Sequence, residues 1–310
     1  MRKIGILAGN PKASSVSAFE IYSPQDLKEA LKFKESEGER AVVMASGTDL
    51  LPRMRKRQTS PSVLLSISSL EDDLKYIRQE HGVIHIGALT TLTDLLNSPV
   101  FAGRLSMVRE AAMNFGAPQI RNVATVGGNI CSASSSEDLI PVFLALDAKA
   151  RLLSAEGDRS VPLKGFVKSK RLTDLKPSEL LSEIYFDAPG ENTWSGYEKL
   201  GRRNMLVVAI VNESLLLGLE TDLSTVRSAR VALNRLAGRV PALAEKTEAF
   251  LVGRRLSEET IAGAKKALAS ELELTSDFRG SAAYRVEIAQ AYLGKLIERC
   301  SREIRKGSLR

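Results

Sequence analysis

Thr125-Val126-Gly127-Gly128-Asn129 is the stretch on which the fold turns, together with its counterpart Ser46-Gly47-Thr48-Asp49. Each reads as the turn after a buried strand, rich in small and hydroxyl residues. A backbone that wraps a phosphate needs that composition. Gly127 and Gly128 would let the main chain approach a ligand and turn its N–H groups toward it. Thr125, Asn129 and Ser132 add hydroxyl and amide groups able to reach phosphate or ribose oxygens. A tight turn accounts for either segment alone. Two such segments in one domain point to one long ligand, a dinucleotide. The usual nucleotide signatures are missing: Gly5–Gly9 fails the G-x-G-x-x-G spacing, and there is no G-x-x-x-x-G-K-[ST] run.

The chain has 310 residues with 44% apolar content, enough for two domains with real cores. No stretch approaches a membrane span. The basic-then-apolar start, Met1 to Ala8, is short for a signal peptide and is broken by Asn10-Pro11, which suggests a cytoplasmic protein. Cys131 and Cys300 are the only cysteines, so a disulfide scaffold is excluded, as is a four-cysteine iron–sulfur cluster held by this chain alone. His81 and His85, the only histidines, alternate with Val83, Ile84 and Ile86 as on one face of a strand, and no metal site is expected there. The net charge of +7 includes basic runs at Arg53–Arg57 and Arg302–Arg310. Aromatics are only 5% and do not interleave with those runs, which argues against nucleic-acid binding.

Residues 16–38 read as strand then helix, with Ser23, Pro24 and Asp26 as a capping box. Ala41–Ala45 and Val63–Ile67 read as strands, and a hairpin is expected around His81-Gly82. Thr91-Leu92-Thr93-Asp94 is a second capping box, opening a helix at Leu92–Leu96, and Gly103–Phe115 is again helical. Asp138 can cap a helix over Leu139–Leu146. Polar Ser154–Ser160 and basic Lys164–Lys176 read as a crossing between domains. Residues 181–235 alternate like strands. Helices follow at Ala242–Leu251, at Glu258–Leu272 behind Ser257, and at Ser281–Arg305, the last with Tyr284, Ile288, Ala291, Tyr292, Lys295 and Leu296 near one face. The expected division is a first domain over 1–175, itself split near 70, and a second over 176–310.

Through these segments the chain resembles the FAD-binding subunit, or medium chain, of the molybdenum hydroxylases, a family that includes the carbon monoxide and xanthine dehydrogenase flavoproteins. Ala45-Ser46-Gly47-Thr48-Asp49-Leu50-Leu51 looks like the family's first flavin loop, and Ile86-Gly87-Ala88-Leu89-Thr90-Thr91 like its next strand-to-helix turn. The most specific signature runs from Pro118-Gln119-Ile120-Arg121-Asn122 through Thr125–Ile130 and Ser132–Ser136 to Asp138-Leu139-Ile140-Pro141. Tyr197-Glu198-Lys199-Leu200-Gly201-Arg202-Arg203 and Arg279-Gly280-Ser281-Ala282-Ala283-Tyr284-Arg285 are similar to the C-terminal motifs. Ser46 departs from the pattern, where the family often has glycine; a positive φ there would strain the loop.

The resemblance implies an α+β fold: a two-subdomain FAD-binding domain of the PCMH/VAO type, then a C-terminal α+β domain of antiparallel sheet plus helices. It implies that Val43, Met44, Ala45, Ser46, Gly47, Thr48 and Asp49, with Thr125, Gly127, Gly128 and Asn129, line the FAD pyrophosphate and its surroundings. Ser132 and Asp138 would bind polar groups of the cofactor, Asp138 on a ribose hydroxyl. Phe115 falls where the family places an aromatic against the isoalloxazine, and Leu180 and Lys199 where C-terminal-side residues approach the flavin. Phe115 and Leu180 also fit plain core, and Cys131 a small buried apolar residue. The sequence shows no acid–base machinery, as suits an oxidoreductase whose chemistry belongs to its cofactor. The implied role is electron transfer from a [2Fe–2S] small subunit, through FAD, to NAD⁺, a quinone or another acceptor. A molybdopterin-containing large subunit would carry the substrate chemistry, in a dimer of heterotrimers. A free-standing FAD-dependent oxidase or reductase of the same fold is the alternative.

Overall fold

The computed structural model describes the backbone of Lys3–Ile4 and residues 18–203, 208–234 and 240–307. The rest of the Met1–Ala8 stretch and the last three residues of the basic tail lie outside the described residues. The chain forms three packed units.

The first unit runs β1 (Lys3–Ile4), β2 (Glu20–Tyr22), α1 (Leu27–Glu37), β3 (Ala41–Met44), α2 (Leu50–Arg55), β4 (Val63–Ser66) and α3 (Glu71–Leu74). Its sheet has the order β1-β2-β4-β3, with β2 and β3 both parallel to β4 and β3 at the edge. Asp26 caps α1 in place of Ser23: it has the extended backbone a cap requires, and its side chain accepts from Glu29 N at 2.7 Å. Ala30, Val63, Leu65, Leu70 and Leu74 form the core, joined by Leu89 and Leu180 from the next unit.

The second unit contains β5 (Ile77–Glu80), β6 (Val83–Gly87), α4 (Leu92–Asn97), α5 (Ser106–Met113), α6 (Pro118–Arg121), α7 (Val126–Ser132), α8 (Leu139–Ala145), β7 (Lys149–Ser154), β8 (Gly157–Pro162), β9 (Val167–Ser169), β10 (Leu172–Thr173) and β11 (Leu180–Asp187). Thr91 and Asp94 form the expected reciprocal cap of α4. The β5–β6 hairpin forms where the sequence reading put it. His81, however, lies in the turn with positive φ, as does Gly82, so the two histidines do not share a strand face. The antiparallel sheet has the order β5-β6-β11-β7-β8. Ile84, Ile86, Ala150, Leu152 and Ile184 bury one face of it under the helices. β11 is the central strand, so the expected break at 175 falls inside this unit. The stretch read as an interdomain crossing is instead β8, β9 and β10. It is polar because β8 is an edge strand with little to pack against.

The third unit is the antiparallel meander β12 (Thr193–Leu200), β13 (Val211–Leu219), β14 (Val226–Leu233) and β15 (Ala242–Leu243), followed by α9 (Glu245–Leu251), α10 (Glu258–Glu271) and α11 (Ala282–Arg305). The helix expected from Ala242 therefore begins three residues later, after a short strand. α11 buries Arg285, Ala289, Leu293, Leu296 and Cys300, a stripe rotated from the expected one, and Tyr284 is exposed. On the other sheet face, Tyr197, Ala232 and Leu243 enter the second unit's core beside α8. β13 is thus covered on both sides and is buried along nearly its whole length.

Gly87 is a point of close backbone approach between the first two units. A Cβ there would lie 2.3 Å from the Leu74 carbonyl oxygen, which is backbone and cannot swing away. Gly87→Ala is expected to destabilise the protein by about 1–3 kcal/mol. An unchanged urea-unfolding midpoint would sink this account.

Candidate cofactor site

The first loop leaves edge strand β3 at the end where the parallel strands of its sheet finish, the usual place for a ligand crevice in parallel sheets. The left-handed residue is Gly47, with φ +75°, and its missing side chain makes room for Leu51, whose Cδ1 would lie 2.8 Å from a Cβ. Ser46 is not among the residues of positive φ, so the serine brings no strain. The backbone amides of Ser46, Gly47 and Thr48 donate to no described residue. Three successive free amides in a loop of this shape suit an anion. Val43 and Ala45 pack into the first core, and the Met44 carbonyl is taken by Ile67 N at 3.0 Å.

The second loop is built differently from the sequence expectation. It follows α6 and not a strand, and Thr125 is the cap of α7, its Oγ1 accepting from Gly128 N at 3.1 Å. Val126 N donates to Thr90 O at 2.9 Å and Gly127 N to Ala88 O at 2.8 Å. These amides face the turn after β6, so they are unavailable to a ligand. A Cβ on Gly127 would meet Ala88 Cβ at 2.7 Å, so this glycine serves close packing of two chain segments. Gly128 is exposed, and a Cβ there would meet Thr125 Oγ1 at 2.9 Å.

Arg171, in the stretch read as a crossing, brings the two loops together. From the tip of the β9–β10 hairpin its guanidinium pairs with both carboxylate oxygens of Asp49, at 2.8 and 3.0 Å. The same group donates to the Ser132 carbonyl at 2.9 Å, and Arg171 N donates to Ala133 O at 2.9 Å. One side chain thus fastens the first loop to the end of α7. Next to it, Glu137 accepts from Asn129 Nδ2, and its Oε1 lies 2.5 Å from Ser132 Oγ. Burial pushes its carboxyl up to about 8.

Asp138 and Lys199 meet at 2.6 Å, both nearly sealed from solvent. Asp138 also accepts from Tyr197 Oη at 2.8 Å and Asn212 Nδ2 at 2.9 Å. Three donors therefore hold its carboxylate before any ribose hydroxyl is considered. Asp138 does stand at the start of α8, but its side chain makes no capping bond. Burial, then Asp138, pushes the Tyr197 phenol well above its ordinary value. Lys199 Nζ also donates to Asn114 O at 3.0 Å, beside Phe115, which is half-buried against the second core. Leu180 is 2% exposed and lies in the first core. Arg121 fixes the Met113–Gly116 turn through three carbonyls, and Arg279 ties the third unit to Ser136 Oγ at 3.1 Å. Sequence reasoning missed Arg171, Glu137, Tyr197 and Asn212 as site residues. Only Glu137 and Tyr197 sat in or next to a recognised motif. His85 lies away from these residues, bonded to Glu183 at 3.2 Å.

A family model described as the FAD binding domain in molybdopterin dehydrogenase matches residues 17–188. A second, the CO dehydrogenase flavoprotein C-terminal domain, matches 195–300. The nicotinate dehydrogenase FAD-subunit of Eubacterium barkeri is 31% identical over 285 residues, 90% of this chain and 94% of that one. The carbon monoxide dehydrogenase medium chain of Hydrogenophaga pseudoflava is 30% identical, covering 91% and 95%. Among solved structures, a chain of carbon monoxide dehydrogenase from Hydrogenophaga pseudoflava superposes with a TM-score of 0.85 at 31% identity, covering 90% and 96%. A chain of quinoline 2-oxidoreductase from Pseudomonas putida 86 superposes with a TM-score of 0.86 at 25% identity, covering 96% and 100%.

The two ion pairs of the site differ in burial, and stability reads the difference. Asp138→Ala strands a buried lysine and is expected to cost about 3–5 kcal/mol. Asp49→Ala, at a side chain 41% exposed, is expected to cost about 1 kcal/mol or less. Equal losses in chemical denaturation would contradict the assignment.

Proposed function

From its membership of the FAD-binding subunits of the molybdopterin dehydrogenases, the family to which this chain belongs, we propose that the protein is the electron-transfer subunit of a molybdenum hydroxylase complex. Its cofactor is FAD and it is an oxidoreductase. On this reading, electrons arrive from a [2Fe–2S] small subunit and leave to NAD⁺, a quinone or another acceptor. Substrate oxidation occurs on a molybdopterin-containing large subunit, and the complex works in the cytoplasm as a dimer of heterotrimers.

The observation that carries the reading is the Arg171 clamp, which joins two loops far apart in sequence into one cleft. The residues fit the cofactor: the amides of Ser46, Gly47 and Thr48 have no partner among the described residues, and Gly128 is exposed on the opposite side. Ser46, Gly47 and Thr48 hold the pyrophosphate, with Asp49 and Arg171 setting the loop's position. Val43, Met44 and Ala45 back that loop. Thr125, Gly127, Gly128 and Asn129 form the opposing floor, and Ser132 contributes a hydroxyl. Leu180 supplies apolar wall, and Phe115 lies against the ring system. Lys199 and Asp138 fix the third unit beside the ring. FAD, when bound, supplies one- and two-electron chemistry that none of these side chains can. The protein binds it, orients it and excludes water.

Purified protein is expected to be yellow and to release FAD on heating. Arg171→Ala is expected to weaken FAD binding about tenfold while leaving the chain folded. Colourless protein that takes up no FAD would overturn the reading.

A further inference from the structure

Ser132 Oγ lies between two oxygens, 2.5 Å from Glu137 Oε1 and 2.9 Å from the Asn129 carbonyl. A serine hydroxyl has one proton to give. If Glu137 is ionised, both neighbours are acceptors and one short contact has no hydrogen in it. If Glu137 is the neutral acid, its O–H donates to Ser132 Oγ, and Ser132 donates to the Asn129 carbonyl. The other carboxyl oxygen, Oε2, accepts from Asn129 Nδ2, and Asn129 Oδ1 in turn accepts from Leu139 N at 3.4 Å. One added proton therefore completes a closed set of hydrogen bonds from α7 through Glu137 to the start of α8.

The charges around Glu137 favour the same form. Asp138, next in sequence, is negative but already paired with Lys199 and bonded to Tyr197 and Asn212. Asp49 faces it from the first loop, and Arg171 from the β9–β10 hairpin, but that guanidinium is committed to Asp49 and to Ser132 O. From β13, Asn212 Nδ2 donates to the Glu137 carbonyl and not to its carboxyl group, and Arg279 reaches no nearer than Ser136 Oγ. No cation among the described residues forms an ion pair with Glu137. Burial, reinforced by Asp138 and Asp49 and opposed by Ser132 and Arg171, pushes the group up to about 8.

We infer that Glu137 is a further residue of the cofactor site, acting as a neutral acid, and that the dinucleotide pyrophosphate enters this cradle with Glu137 protonated. The inference rests on the FAD reading given above. Ionised, the group would set another negative charge beside a polyanion and, with the Ser132 proton drawn to the carboxylate, leave the Ser132 Oγ–Asn129 carbonyl contact without a hydrogen. Loading is therefore linked to one proton. The bound state raises the affinity of Glu137 for its proton above that of the free protein. FAD affinity is then level below the free protein's value and falls above it by about tenfold per pH unit.

The test uses the full chain stripped of flavin and titrated with FAD, followed by flavin fluorescence from about pH 6.5 to about pH 9.5. Wild-type affinity is expected to be level to about pH 8 and then to fall, while Glu137→Gln binds with a flatter profile and within about threefold of wild type at neutral pH. Ionisation of the flavin itself is common to both proteins and cancels. Calorimetry in buffers of different ionisation heat gives a second readout that needs no variant: about one proton taken up per FAD near pH 9, and almost none near pH 6.5. Superimposable pH profiles, or no proton uptake by wild type near pH 9, overturn the inference while leaving FAD binding intact. A wild-type chain that binds no FAD at any pH removes the functional reading, and this inference with it.

Discussion

The Asp138 carboxylate, held between Lys199 Nζ at 2.6 Å, Tyr197 Oη at 2.8 Å and Asn212 Nδ2 at 2.9 Å, is the contact on which the placement of the third unit against the second depends. It joins the start of α8 to β12 and β13, whose neighbouring residues complete the second unit's core. A buried pair of this kind contributes little net stability over an apolar packing of the same volume. Its effect is positional: the donors accept only one placement of the third sheet against α8 and α5. Glu110 reinforces that placement, accepting from Tyr197 N at 2.9 Å and pairing with Arg299 of α11. The preceding residue, Glu137, faces the cradle through its own bonds to Asn129 and Ser132.

The two glycine segments reach a similar appearance in sequence for different physical reasons. Gly47 is required by a left-handed backbone that leaves successive amides without a partner among the described residues. Gly127 is required because Ala88 occupies the space of its Cβ, and the amides around it are already bonded. The anion-holding capacity therefore lies mainly in the first loop, while the second gives shape, hydroxyl groups and the Glu137 network. Arg171 makes them one site. It does so with a positive φ at a hairpin tip, a conformation costly for a non-glycine residue and maintained by the bonds its side chain and amide make.

Much of the local structure was legible from residue patterns. The Thr91–Asp94 cap, the hairpin around His81-Gly82 and the cap at Ser257 each depend on atoms a few residues apart. The α+β class and the FAD-binding family followed from motifs that lie along nearly the whole chain. The misreadings share a cause. The stretch taken for a linker is polar because β8 is a sheet edge, and edge strands and linkers look alike without their neighbours. The buried stripe of α11 was misplaced because aromatics at a helix's margin mimic its centre, and only the packed sheet shows which side is covered.

By itself, then, the sequence determined most of the strand and helix segments, the caps at Thr91 and Ser257 and the positions of the two glycine turns, because each rests on interactions between near neighbours in the chain. The tertiary structure decided which groups face the cleft. Arg171 and Asp49 are 122 residues apart, and Lys199 and Asp138 are 61 apart. No local periodicity encodes such pairs. They exist because β11 runs through the middle of the second sheet and β12 lies against α5, and those placements follow from burying three cores together.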